Sequence, residues 1–156
     1  MQAVDEVGRA LALLTRGLFL MTTGFQNKRS GAVVRWVQPC AESPAMVCVA
    51  LRTGHTIKTI IRDSRCFALC AIEDDPTLMR KFGAERTPEQ TVDPFDWLEV
   101  ERMVTGSPVL KRSAPVLDCE VVRHLDLEAD HSLYIGRIVG ARCECGGPGG
   151  PTGVHA

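Results

Sequence analysis

Along this chain the spacing of apolar positions changes period several times, and each change marks an element. Val4, Val7, Leu11 and Leu14 recur every three or four residues, the spacing of one helix face. The chain therefore opens with an amphipathic helix that ends near Thr15 to Gly17 and caps a sheet. Three strand-like runs follow, Leu18 to Thr23, Ala32 to Gln38 and Ala45 to Leu51, separated by the turn-rich segments GFQNKRSG and PCAESP. Loops this short favour antiparallel neighbours. Ile57, Ile60 and Ile61 mark a short helix that His55 or Thr56 can cap, and Cys66 to Ile72 returns to an apolar strand. In DDPTLMRKFG, Pro76 suits a first helical turn, Met79 and Phe82 stand three apart, and Gly83 stops the helix. The polar stretch AERTPEQTVDPFD reads as a loop. Trp97 to Met103, Val116 to His124 and Ser132 to Arg142 then bring the count to about seven strands. Many strands with few, short helices predict a mainly β fold, an antiparallel barrel that is closed or partly closed.

Composition narrows the class. At 156 residues and 45% hydrophobic, the chain matches one domain with a real core, residues 1–145. The remaining residues 146–156, GGPGGPTGVHA, can bury little apolar surface and read as a mobile tail. A net charge of -1 supplies no global field for nucleic acid or an anionic membrane. The start carries acids where a signal peptide carries bases, and Gly17 to Met21 is too short to span a bilayer, so a cytoplasmic protein is expected. Seven irregularly spaced cysteines fit reduced thiols better than a secreted disulfide framework.

Fingerprints of the forms GxGxxG, GxxxxGK, HExxH and GxSxG are absent. Chemistry carried by a cofactor needs none of them. Three groups of residues stand out instead. Arg52, Thr53, Gly54, His55, Thr56 and Lys58 lie between a strand and a helix start, as a phosphate cradle would, although a capped helix with solvated bases has the same composition. From Ser30 to Ala41, the small residues Ser30, Gly31 and Ala32 let backbone approach a flat ligand, and also suit an ordinary strand start. Arg35 in this apolar run needs a partner, whether carboxylate, subunit interface or cofactor, while Cys40 is either a pocket-edge thiol or an inert one. Asp130, His131 and Ser132 precede the strand LYIGRIV, where His131 can meet a flat ring, act as acid or base, or merely order a turn. Cys143 and Cys145 form a CxC pair without two further ligands at matched spacing, so no metal site is expected.

These pieces, in the order GLFLMTT, SGAVVRWVQ with AESP, VCVAL, IIRDSRCFAL, TGSPVL and DHSLYIGRIV, resemble the flavin reductase-like family of FMN-binding split barrels, which includes flavoredoxins, over Leu11 to Arg142. The resemblance implies a Greek-key six-stranded barrel, usually a homodimer, binding FMN, or FAD in some members, near the subunit interface. It assigns the ring-contacting segment to Ser30, Gly31, Ala32, Val33, Val34, Arg35, Gln38, Pro39, Cys40 and Ala41, the phosphate loop to Arg52 through Lys58, and a nicotinamide-contacting role to His131. Three features depart from the family pattern: Ala129 replaces a glycine, Pro39 and Cys40 stand where hydroxyl residues are frequent, and GHTIK does not match the most frequent phosphate-loop threonine spacing. The implied activity is NAD(P)H-dependent reduction of FMN or FAD by hydride transfer to N5, with proximity supplying most of the rate. The alternatives are an FMN electron carrier of the flavoredoxin type serving a monooxygenase, rubredoxin or other acceptor, and a barrel that has lost flavin and serves as a binding module.

Overall fold

The computed structural model describes residues 2–14, 17–83 and 93–144. In chain order these form α1 (Gln2–Leu14), β1 (Phe19–Phe25), β2 (Lys28–Val34), β3 (Val37–Glu42), β4 (Ala45–Arg52), α2 (Ile57–Ser64), β5 (Cys66–Ala71), α3 (Pro76–Phe82), β6 (Val100–Glu101), β7 (Val109–Leu110), β8 (Val116–Asp126) and β9 (His131–Arg142). Seven strands make one antiparallel sheet in the order β2-β1-β5-β8-β9-β4-β3, and β6 pairs with β7 alone. The fold is mainly antiparallel β, in agreement with the split barrel read from the sequence.

A two-residue link explains why this sheet rolls up. Strands β2 and β3 sit at opposite ends of the order yet are joined only by Arg35 and Trp36. Seven strands laid flat would set those ends about 29 Å apart at ~4.8 Å per strand, and so short a link cannot span that gap. The sheet must therefore curl until its ends meet, and the Ala50 N–H closes the corner by donating to the Trp36 carbonyl at 3.0 Å.

Burial follows the period of two. Met21, Phe67 and Leu69 point inward to a core with Val47, Val49, Leu51 and Tyr134, plugged by Ile57 and Ile61 of α2. Their neighbours Leu20, Ala68 and Cys70 face the other way, into a second core under Phe82, Phe95, Val109 and Leu110. Both faces of β1 and β5 are thus buried, which is why these strands read as continuous apolar runs.

Several boundaries differ from the sequence reading. The run Ala32 to Gln38 is two strands, because the chain turns the barrel corner at Arg35 and Trp36. GFQNKRSG is mostly strand, with only Gln26 and Asn27 turning, and Gln26 takes a φ of 55°. The segment PCAE continues β3 through a bulge between Pro39 and Ala41; an edge strand tolerates the missing proline N–H there. Trp97 to Met103 shortens to two paired residues. The expected capping of the sheet by α1 is not achieved by burial, since Leu13 and Leu14 are 71% and 76% exposed. The proposed tail, Cys145 and much of the AERTPEQTVDPFD loop lie outside the described residues. Among the described residues no helix is long and apolar enough to cross a membrane.

Candidate functional site

At one end of the barrel, the close of β4 and the start of β9 run side by side, with Arg52 opposite His131. The chain leaving β4 turns at Gly54, whose φ of 86° favours glycine. Thr53 ties this turn to the one before β9: its N–H and its hydroxyl both donate to the Asp130 carbonyl, at 2.9 and 3.2 Å. Of the two residues able to cap α2, His55 does so, its Nδ1 accepting from the Ile57 N–H at 3.1 Å, while Thr56 makes no side-chain cap. Arg52 is exposed and Lys58 half-buried beside this helix start.

His131 is held from two sides. Its Nδ1 lies 3.0 Å from Asp130 Oδ1, and its ring lies 4.7 Å from the Trp36 indole. The hydrogen bond from His131, then the charge of that imidazole and of Arg52, hold the Asp130 carboxyl below the usual aspartate range. Ser132 Oγ, buried next along β9, has no hydrogen-bond partner among the described residues. The structure adds a residue that sequence reasoning missed: His124, opposite Tyr134 in the β8–β9 ladder and stacked on it at 4.4 Å. Burial and then the nearby Lys58 charge lower the His124 pKa, against a smaller opposing pull from Asp126. Nothing local in VVRHLD signals this, since the pairing with Tyr134 depends on the ladder register.

The ring-contacting segment read from sequence divides. Ser30, Gly31, Ala32 and Val34 are buried and Val33 packs on the second core. The face that Gly31 leaves open is filled by the Phe82 ring, 3.0 Å from where a Cβ would stand. Ser30 pairs with Thr23, whose hydroxyl meets Ser64 at the far end of α2 from Lys58. About 10 Å of helix separates that end from the Arg52–Lys58 loop. Gln38, Pro39, Cys40 and Ala41 are exposed along edge strand β3. The structure therefore brings together Arg52, Thr53, Thr56, Lys58, Asp130, His131 and Trp36, and sets Ser30 to Ala32 apart from them. Arg35 and Trp36 also line a crevice of about 650 Å³ beneath α1.

Three interior thiols are held in the protonated form by burial. Cys40, Cys48, Cys66, Cys70 and Cys119 form no disulfide. Burial pushes the Cys70 thiol up to about 11 and raises that of Cys119 further. Cys48 is raised as well, by burial and then by the proximity of Cys40. No group of three metal-ligating side chains exists among the described residues.

The chain is similar to known proteins in sequence and in fold. The family model for the flavin reductase like domain matches residues 11–154. An NADPH-flavin oxidoreductase of Streptomyces viridifaciens is 26% identical over 94% of this chain and 79% of that protein. A ferric-chelate reductase (NAD(P)H) of Archaeoglobus fulgidus is 23% identical over 82% of this chain and 76% of its own length. The chain spans only about a quarter of the diflavin flavoproteins it matches in Synechocystis, Thermosynechococcus and Nostoc. Among solved structures, the NADH:FAD oxidoreductase SgcE6 of Streptomyces globisporus superposes with a TM-score of 0.76 at 20% identity, covering 96% of this chain and 86% of that one, which shows a shared fold. With the family model covering nearly the whole described barrel, the chain belongs to the flavin reductase like domain family.

Proposed function

We propose that this protein is a flavin-binding oxidoreductase that reduces FMN, or FAD, with a hydride from NADH or NADPH. The observation that carries the reading is the meeting, at one barrel end, of two cations beside a helix start with an aromatic pair and a carboxylate-held histidine. An anion-bearing aromatic ligand fits this set. Arg52 and Lys58 hold its phosphate, aided by the N-terminal end of α2. Trp36 supplies an apolar wall for a ring. A bound flavin supplies the ring that accepts the hydride. Asp130 orients His131 through Nδ1 and leaves Nε2 to touch the nicotinamide or carry a proton. Orientation at close range then accounts for rate without a nucleophile.

We propose further that two copies associate, as support for a site on an otherwise open face. Val122, Leu125 and Leu127 on the β8–β9 arm are 41%, 43% and 51% exposed, a patch suited to a second copy. Steady-state oxidation of NADH and NADPH with FMN or FAD supplied tests the activity, and no turnover with any pairing contradicts it. Tight flavin retention without turnover would instead mark an electron carrier.

A further inference from the structure

Helix α1 stands off the barrel and leaves the crevice of about 650 Å³ described above, a size that accommodates a small organic molecule. Part of its wall is apolar, Leu11 and Ala12 from the helix and Leu18 and Ile72 from the barrel. Gly8 and Gly17 add no side chains. Leu11 is 44% exposed and the Trp36 indole 40%, so a ligand in the crevice would remove both from water.

Two exposed charges, Arg35 and Asp74, complete the lining. Neither makes an ion pair or hydrogen bond with any described residue. A guanidinium beside an indole and aliphatic walls suits a carboxylate joined to a ring, because it can bind the carboxylate through two parallel hydrogen bonds while the ring packs on the indole. Asp74 disfavours a dianion such as a phosphate monoester and leaves a single negative charge as the better match.

We propose that this crevice is a second ligand site that takes a small aromatic monocarboxylate, its carboxylate on Arg35 and its ring against Trp36. The inference goes beyond flavin reduction and does not depend on it. Because the same indole also leans on His131, occupancy of the crevice reaches the other site through one shared side chain.

Flavin-free protein carrying Trp97→Phe tests this, since Trp36 is then its sole tryptophan and reports occupancy by emission. Phenylacetate is the probe and phenylacetamide its uncharged counterpart. A saturable emission change is expected with phenylacetate, about tenfold or more tighter than with the amide. Arg35→Gln should erase that preference, Arg35→Lys should retain part of it, and Asp74→Asn should tighten phenylacetate by about two- to threefold. Thermal melts confirm that each variant is folded. No saturable change, equal affinity for acid and amide, or an unchanged preference in Arg35→Gln overturns the proposal. Displacement of phenylacetate by FMN in simple competition also overturns it, because the crevice would then be part of the flavin site. Flavin binding by the unmodified protein is measured separately, so failure here leaves that reading untouched.

Discussion

Two polar clusters sit on this barrel and behave in opposite ways. In the first, Asp118 is fully buried on β8 and accepts from the Val104 and Thr105 N–H groups, both at 2.8 Å, and from the Thr105 hydroxyl at 2.5 Å. Nearby, Arg142 donates to the Ser113 and Leu110 carbonyls and pairs with Glu101, while the Thr22 hydroxyl binds the Pro108 carbonyl. These bonds pin the segment from Glu101 to Ser113 onto the barrel. In the second, Arg52 is exposed, Asp130 meets His131, and the buried Ser132 hydroxyl has no partner among the described residues. A cluster whose groups satisfy one another holds a fold together; one that leaves cations and hydroxyls unsatisfied has capacity for a ligand.

The largest expected effect breaks the first cluster. Asp118→Ala leaves the partly buried Val104 and Thr105 N–H groups and the Thr105 hydroxyl without their carboxylate acceptor, at a cost of about 2 to 4 kcal/mol in urea unfolding. A loss below about 1 kcal/mol would show that water replaces the carboxylate. Next comes the second cluster. Arg52→Ala with Lys58→Ala should weaken FMN binding about 10- to 100-fold and leave riboflavin, which has no phosphate, nearly unchanged. Its unfolding free energy should move by no more than about 0.5 kcal/mol. Equal losses for both flavins would refute the anion site.

The smallest effects are titrations read by NMR. Lys58→Ala removes a positive charge that disfavours the imidazolium, so the His124 pKa should rise toward the ordinary value. His131→Gln removes the cation and donor that favour the Asp130 carboxylate, so the Asp130 pKa should rise too. A fall in either case would mean that these groups do not face each other in solution.

The element types were legible from sequence because most strands carry clear apolar runs and α2 places Ile57 and Ile61 on one face. What escaped depends on register and closure. The alternation through Ala32, Val34, Trp36 and Gln38 predicts one strand, and only the need to join opposite ends of the sheet breaks it at Arg35. Gly31 reads equally as a gap for a ligand or for a side chain; the Phe82 ring, fifty-one residues away, decides. The buried Asp118 was a signal in plain view, an acid amid the apolar run VLDCEVV, whose partners lie in a loop that no periodicity describes. In the open cluster, the Arg52–Lys58 loop and His131 were visible as residue types, whereas their approach through the pairing of Arg52 with His131 and the contact with Trp36 required the folded chain.

Anaerobic rapid mixing of the FMN-loaded protein with NADH, and separately with NADPH, tests the central claim most directly, because it isolates hydride delivery from flavin exchange. Saturable loss of flavin absorbance is expected with at least one donor, at a rate reduced in His131→Gln. Stable flavin absorbance with both donors, on protein that demonstrably holds FMN, would contradict it.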